Sequence, residues 1–195
     1  MNFYNEMMDA NGGVRAHYKR YDEWLKATPP ERIARKRAEA DLAFHRVGIT
    51  FAVYGEESGK ERLIPFDIIP RIIPSTEWKA LQSGLRQRVK ALNMFLDDIY
   101  HDQEILKAGK IPAEQVLNNA QYRPDMKGVD VPGGIYAHIA GVDVVRAGAG
   151  ELYVLEDNLR VPSGVSYMLE DRKMMMRLFP EQIGRASCRE RVCCG

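Results

Sequence analysis

Residues 141–167 read GVDVVRAGAGELYVLEDNLRVPSGVSY and set the expectations for the rest of the chain. Two runs rich in β-forming residues flank a glycine-containing turn at residues 148–150, which predicts a β-hairpin. Because side chains alternate between the two faces of a strand, Glu156 and Asn158 share one face. If the loop holds an even number of residues, Asp143 on the first strand shares that face.

Asp143, Glu156 and Asn158 would then present three oxygen-bearing side chains together, as Mg²⁺ requires alongside water and phosphate oxygens. The alternative is that these residues form the solvated side of a hairpin. Valine and leucine occur at both odd and even positions of the two predicted strands, as in strands buried on both faces. A carboxylate inside such a sheet is unfavourable without a cation or hydrogen-bonding partners. This pattern favours a metal.

The same residues resemble a known family. Asp143, then Glu156-x-Asn158 followed by Pro162 and Gly164, resembles the metal-binding hairpin of the ATP-grasp ligases. Residues 155–167 are similar to the circularly permuted ATP-grasp family, type 2, relatives of the glutathionylspermidine synthetase group. The likeness covers about residues 12–181. Supporting stretches are GITFAVY at 48–54, PFD at 65–67, GLRQRV at 84–89 and FLDDIY at 95–100.

The resemblance implies an ATP- and Mg²⁺-dependent ligase that joins a carboxylate to an amine through an acyl phosphate. By that likeness Asp143 would ligate one Mg²⁺, Glu156 would bridge two, and Asn158 would ligate the second. Arg160 lies two residues past Asn158, so on a continuing strand it would share that face and stabilise the transferring phosphoryl group. The alternative function is a non-catalytic binding or scaffold protein that kept the fold. An intact ligand set favours the enzyme.

Two departures from the family pattern modify this assignment. Many ATP-grasp ligases place an arginine two residues before the first metal aspartate, and here that position is Gly141. Arg160 or Arg146 would therefore take that part and contact the nucleotide. The segment between the ligand asparagine and the glycine is also longer, so Ser163 and Gly164 carry over as loop contacts to substrate or phosphate.

The expected fold is α+β and ATP-grasp-like, circularly permuted and incomplete, with a helical N-terminal portion and a mainly antiparallel sheet. We divide the chain into an N-terminal portion at 1–134, the metal-binding hairpin and following helix at 135–181, and a tail of non-native character at 182–195. In the permuted family the adenine pocket and the ATP-binding lysines come later in the chain. We therefore expect this chain by itself to be inactive and to bind ATP weakly or not at all.

Local patterns predict the remaining elements. Asp67 is interpreted as a turn-stabilising residue, and Arg88 as part of a charged helix face, with a phosphate contact as the alternative. The apolar stripe of the second helix is predicted at Ile33, Ala40, Phe44 and Val47. Helices are expected at 15–28, 30–47, 77–100, 103–108, 113–119 and 165–178, and extended segments at 49–54 and 62–69.

The composition limits the kinds of partner that the chain is expected to bind. The net charge of +1 gives no electrostatic argument for nucleic acid or an anionic membrane. No apolar run approaches the roughly 20 residues of a membrane helix, and the N-terminus lacks the features of a signal peptide. The three cysteines all fall in the last eight residues, so no disulfide framework is indicated. The expected location is therefore the cytoplasm. The family resemblance, by contrast, is what implies the partners ATP, Mg²⁺ and small-molecule or peptide carboxylates and amines.

Overall fold

The computed structural model describes residues 4–48, 50–52, 61–63 and 66–180. Within these ranges the chain forms six α-helices, four β-strands and three short 3₁₀ turns. In chain order they are α1 (Lys19–Ala27), α2 (Pro30–Val47), β1 (Thr50–Ala52), β2 (Glu61–Leu63), α3 (Ser75–Tyr100), α4 (Glu104–Lys107), α5 (Ala113–Leu117), β3 (Gly141–Gly148), β4 (Glu151–Asn158) and α6 (Gly164–Leu178). The 3₁₀ turns are Ala16–Tyr18, Pro124–Met126 and Pro132–Gly134.

The chain divides into two compact units. The first unit falls within Met1–Pro74, Ala147–Ala149 and Ser163–Gly195, and the second within Ser75–Arg146 and Gly150–Pro162. These units cut the chain differently from the division at residue 134 that the family resemblance suggested. That division concerns the domains of the family and stays a prediction.

The core of the first unit forms between α2 and α6. Ala40, Phe44, Met174, Leu178 and Phe179 are buried there, each 5% exposed or less. Trp24 of α1 packs edge-on against the ring of Phe179, with 5.6 Å between the ring centroids. The predicted helical spacing therefore identifies most of the buried face of α2, and Met174 of α6 packs against that face in the core.

Val47 is where the predicted stripe of α2 is wrong. Its side chain is 56% exposed and lines an open groove beside Leu42 and Met174 instead of entering the core. Val47 is the last residue of α2, and the chain leaves the helix at Gly48, whose left-handed φ of 68° ends the helix. The apolar spacing of α2 therefore extends to Val47, a position that the core between α2 and α6 does not cover.

Two tyrosines attach α1 to the segment before α3. The Tyr21 hydroxyl donates to the Ile68 carbonyl at 3.1 Å, and the Tyr18 hydroxyl accepts a hydrogen bond from the Ile72 amide at 2.8 Å. Burial, together with the Asp67 carboxylate, raises the pKa of Tyr21 to about 12. Asp67 accepts a hydrogen bond from the Ile69 amide at 2.9 Å, which fits the turn-stabilising role predicted for it.

The second unit is organised along α3. Near the end of this helix, Tyr100 stacks against Tyr122 and Tyr136, at centroid separations of 5.1 and 5.9 Å. The Asn93 side-chain oxygen accepts hydrogen bonds from the amides of Tyr136 and Ala137, at 2.8 and 2.9 Å. These contacts hold the long 122–140 connection against α3 and so determine where β3 begins.

The fold is a mixture of helices and small antiparallel sheets, as the α+β prediction requires. In the described part of the chain the sheet content consists of two separate two-stranded sheets, β1–β2 and β3–β4. β1 and β2 pair antiparallel, with Phe51 opposite Arg62. The predicted strand at 62–69 is too long, because β2 ends at Leu63 and Ile68 and Ile69 bend after the Asp67 turn. None of the helices in the described ranges is long and apolar enough to cross a membrane.

Candidate functional site

The β3–β4 hairpin has the turn that the metal hypothesis needs. β3 ends at Gly148 and β4 begins at Glu151, so the loop holds two residues, an even number. Gly150 in this loop adopts φ 75°, a conformation that glycine reaches without steric cost. A two-residue loop joins antiparallel strands, and continuous pairing from this turn sets Asp143 opposite Glu156.

Glu156 and Asn158 are in direct contact. The Asn158 side-chain nitrogen donates a hydrogen bond to Glu156 Oε1 at 2.9 Å, so the two side chains lie on one face of β4, as predicted. Both residues are exposed, and so is Asp143 on β3. The expectation of strands buried on both faces is wrong, because Tyr153 and Leu155 on the other face of β4 are 58% and 70% exposed. Because the hydrogen bond uses the nitrogen of the Asn158 amide, the carbonyl oxygen of that amide is left to face a cation.

The donor set agrees with a hard divalent cation. Two carboxylates and one amide oxygen are ligands of the kind Mg²⁺ accepts, and Mg²⁺ completes its octahedron with water and phosphate oxygens. In the part of the chain that the structure describes, no three His, Cys, Asp or Glu side chains converge on a metal-sized point. The candidate set therefore depends on Asn158 as its third member, and the assignment of all three residues stays a prediction.

Asp157 lies between the two candidate ligands and points to the opposite face. Its carboxylate forms a bidentate pair with Arg88 of α3, with Nε to Oδ1 at 2.8 Å and Nη2 to Oδ2 at 2.6 Å. The hydrogen bond from Arg88 lowers the pKa of Asp157 and raises the pKa of the guanidinium. Arg88 was predicted to lie on a charged helix face. In the structure its guanidinium forms an ion pair with the Asp157 carboxylate.

Arg146 also points away from the candidate ligands. It lies three residues from Asp143 on β3, so strand alternation puts it on the other face of the hairpin. Its side chain is only 4% exposed and pairs with Glu77 near the start of α3. Two ion pairs, Glu77 with Arg146 and Arg88 with Asp157, thus attach one face of the hairpin to α3.

Arg160 lies beyond the end of β4. The strand stops at Asn158, so the expectation that Arg160 shares the face of Glu156 on a continuing strand is not met. Its guanidinium instead donates a hydrogen bond to the Gln121 side-chain oxygen. The next residue, Val161, has φ 48° and is 86% exposed, an unusual conformation for a β-branched residue.

Gly141 has a steric reason to be glycine. A Cβ added there would lie 2.7 Å from Pro162 Cβ and 3.5 Å from Asn158 Cβ. An arginine at this position, which the wider ATP-grasp pattern has, would collide with the proline ring. The two departures noted in the sequence are therefore linked. Pro162, in the longer segment after Asn158, occupies the space that a side chain at position 141 would need.

Ser163 and Gly164 belong to the first unit, where they begin α6. Ser163 is the residue before the helix, and its hydroxyl makes no capping bond. Its carbonyl accepts a hydrogen bond from the Ser166 hydroxyl at 2.7 Å. The helix start leaves backbone N–H groups of the kind that bind anions. Their role as loop contacts stays a prediction.

The two ion pairs are the part of the site that the sequence argument missed. The candidate ligands occupy even positions of β4, whereas Asp157 occupies an odd position. A signal was present: a carboxylate between two outward-facing ligands must point to the inner face of the strand, where it requires a cationic partner. Its partner Arg88 lies 69 residues earlier, so the pairing itself could not be read from local spacing.

A family model described as "A circularly permuted ATPgrasp" matches residues 70–192. The match covers more than half of the chain, and it includes α3, the hairpin and α6. The chain belongs to the circularly permuted ATP-grasp family, as the motif at residues 155–167 predicted.

Curated relatives extend this finding. The chain is 45% identical over 180 residues to the uncharacterized protein sll0335 of Synechocystis, covering 92% of this chain and 37% of that protein. It is 46% identical over 178 residues to the uncharacterized protein ML0605 of Mycobacterium leprae, covering 91% and 31%. A protein of Frankia casuarinae named "Putative glutamate--cysteine ligase 2-2" is 39% identical over 182 residues, covering 91% and 20%. The chain thus spans only about a third of the first two relatives and a fifth of the third.

Proposed function

We propose that this chain supplies the metal-binding hairpin of an ATP- and Mg²⁺-dependent ligase that joins a carboxylate to an amine. The observation that carries the proposal is the Glu156–Asn158 pair, exposed on a hairpin whose turn sets Asp143 opposite Glu156, in a member of the circularly permuted ATP-grasp family. Two relatives from Frankia species bear names that denote glutamate–cysteine ligases, which favours an amide-forming reaction.

In the proposed reaction the carboxylate substrate takes the γ-phosphoryl group of ATP to form an acyl phosphate, which the amine then attacks with release of phosphate. Bound Mg²⁺ supplies charge neutralisation for the β- and γ-phosphates. Asp143 would hold one ion, Asn158 would hold a second, and Glu156 would contribute a ligand to both. The amide of Asn158 lowers the negative charge of the set while keeping a carbonyl oxygen as a ligand.

Arg160 is the better of the two candidate arginines for the phosphoryl group. Its side chain is exposed and donates to a neutral acceptor, Gln121, so turning toward a phosphate oxygen would break one hydrogen bond and no ion pair. Arg146 is buried against Glu77, and moving it would leave that carboxylate without its cation. Ser163 and Gly164 are proposed to contact phosphate or substrate through the start of α6.

The proposed partners follow from this chemistry. They are ATP, Mg²⁺, and small-molecule or peptide carboxylates and amines, in the cytoplasm. Neither nucleic acid nor membrane is proposed as a target, since the net charge of +1 offers no electrostatic attraction to a polyanion.

The test is ADP release by the full-length protein with a panel of carboxylate and amine pairs. Glu156→Ala should lower turnover by about a hundredfold or more, since several kcal/mol of charge stabilisation at the phosphates is lost. Glu151→Ala is the matched control, because Glu151 is an exposed carboxylate on the same strand at an odd position, and its turnover should equal that of the unaltered protein.

Unchanged turnover in Glu156→Ala would reject the assignment of the site. A full-length protein that binds ATP and Mg²⁺ yet releases no ADP with any pair would reject the ligase. It would favour a non-catalytic protein that kept the ATP-grasp fold.

A further inference from the structure

We propose that Arg88 is a positioning residue, which holds Glu156 and Asn158 in place for a divalent cation through its pair with Asp157. The inference rests on the proposed function, because it concerns the same candidate ligands. Arg88 itself touches neither of them and would touch neither metal nor substrate.

The geometry of the pair is that of a fixed anchor. Arg88 Nε reaches both carboxylate oxygens, at 2.8 and 2.9 Å, and Nη2 donates to Oδ2 at 2.6 Å. Such a fork restricts the orientation of the carboxylate as well as its distance. The Asp157 side chain is 14% exposed, so the anchored partner lies mostly out of solvent.

The anchor acts on both neighbours because of strand alternation. Fixing the Asp157 side chain toward α3 directs the side chains of Glu156 and Asn158 toward the opposite face, where they meet in their own hydrogen bond. The effect is largest at a strand end, because terminal residues open most readily. Asn158 is the last residue of β4, and a two-stranded hairpin has little stability of its own.

A second contact restrains the same strand end. Gly141 approaches Pro162 and Asn158 so closely that a methyl group would not fit. Two contacts therefore restrain Asn158. One is the bidentate pair of Arg88 with the neighbouring residue Asp157, and the other is the close approach of Gly141 and Pro162. The strand end that carries two of the three candidate ligands is thus fixed before any cation arrives.

The competing explanation is that the pair is an ordinary surface ion pair between helix and hairpin. An ordinary ion pair of that kind affects the stability of the fold and leaves ligand binding unchanged. Loss of a group that orients a metal ligand typically weakens metal affinity by about 10–100-fold. Metal affinity therefore separates the two explanations.

The experiment uses the 195-residue chain and Mn²⁺, a paramagnetic ion that accepts the same oxygen donors as Mg²⁺. Free Mn²⁺ is measured by electron paramagnetic resonance during titration, and the Asn158 side-chain amide is followed by nitrogen-15 NMR without metal. The variants are Arg88→Met and Arg88→Lys, with Arg86→Met as the matched control, since Arg86 is exposed on the same helix.

Arg88→Met should weaken Mn²⁺ affinity about tenfold or more and shift the Asn158 amide signals. Its thermal midpoint should also fall, because Asp157 loses its cationic partner, so the affinity is measured at a temperature at which the variant remains folded. Arg88→Lys keeps the charge but loses the fork, so we expect an intermediate affinity. If Arg88→Met fails to fold, the Mn²⁺ affinity of Arg88→Lys tests the positioning role of Arg88 by itself. Arg86→Met should match the unaltered chain in every measurement.

Equal effects of Arg88→Met and Arg86→Met on affinity and on the Asn158 signals would overturn the inference. Failure of the proposed function has a different signature: Glu156→Gln would bind Mn²⁺ as well as the unaltered chain. In that case the Asn158 amide signals, recorded without metal, still show whether Arg88 positions the strand end.

Discussion

Gly141 shows how one missing side chain shapes the candidate site. Its backbone passes very close to Pro162, which belongs to the segment after Asn158. The residue at position 141 must therefore be small enough to leave room for that proline. The glycine is therefore a packing requirement of this chain, and an arginine side chain does not fit at this position.

Gly141→Ala should destabilise the second unit by about 1–3 kcal/mol, since its methyl group would meet the Pro162 ring at 2.7 Å and force the chain to move. Urea unfolding followed by circular dichroism measures this. Gly84→Ala is the matched control: Gly84 lies inside α3 with no atom within 4 Å of an added Cβ, so alanine there should stabilise by about 0.5–1 kcal/mol. Equal behaviour of the two variants would contradict the steric account of Gly141.

His101, just past α3, carries a side chain that contacts both the helix end and the 122–140 connection. Its Nδ1 lies 2.9 Å from the Asp97 carbonyl oxygen, and its Nε2 lies 3.4 Å from a carboxylate oxygen of Asp130. The Tyr136 hydroxyl donates to the Asp97 carboxylate at 3.2 Å. A protonated His101 therefore joins the helix end to the connection through Asp130.

The hydrogen bond to the Asp97 carbonyl, together with the Asp97 and Asp130 carboxylates, raises the pKa of His101 above its ordinary value. A raised pKa in the folded chain means that the stabilisation is complete below the unfolded value of about 6.5 and is lost as the pH rises through the folded value.

We expect the urea midpoint to fall from about pH 6.5 upward, and His101→Gln to remove this part of the fall. The exposed His138 supplies the control, and His138→Gln should keep the pH dependence of the unaltered chain. Identical pH profiles for the two variants would refute the role of His101.

Among the elements, the helices and the hairpin followed from the sequence because local chemistry determines them. Pro30 begins α2 and Gly48 ends it, and both positions can be read from residue type. The hairpin was predictable for the same reason, since alternation and a glycine-containing turn are local. The apolar spacing of α2 identified Ala40 and Phe44 correctly and failed only at Val47, where neighbouring packing decides.

What the sequence could not provide is the pairing of elements far apart in the chain. Arg88 with Asp157 and Glu77 with Arg146 each join positions 69 residues apart. Charge pairs of this kind depend on how α3 lies along the hairpin. The sequence therefore predicted that Glu156 and Asn158 share one face of β4, while the groups that hold the other face came only from the structure.

For the whole molecule, the lengths of the relatives bear directly on activity. The chain covers 37% of the Synechocystis relative and 31% of the Mycobacterium leprae relative. An ATP site requires an apolar slot for the base and cations for the phosphates in addition to metal ligands. We propose that the greater length of the relatives includes these parts.

The 195-residue chain should accordingly bind ATP weakly or not at all in the presence of Mg²⁺, and calorimetric titration measures this. A full-length relative, titrated in parallel, provides the positive control. A micromolar dissociation constant for the chain, about −8 kcal/mol, would show that the nucleotide pocket lies within residues 1–195 after all.

The edge-on packing of Trp24 against Phe179 also has a practical consequence for spectroscopy. The sequence contains two tryptophans. Trp24 packs against the core of the first unit, whereas Trp78 belongs to α3 of the second unit and is 49% exposed. Each unit therefore contains one tryptophan in a distinct environment, shielded in one and exposed to water in the other. Replacing either indole by phenylalanine leaves a single tryptophan, so selective excitation of tryptophan above the tyrosine absorption band records the melting of each unit separately without any attached dye.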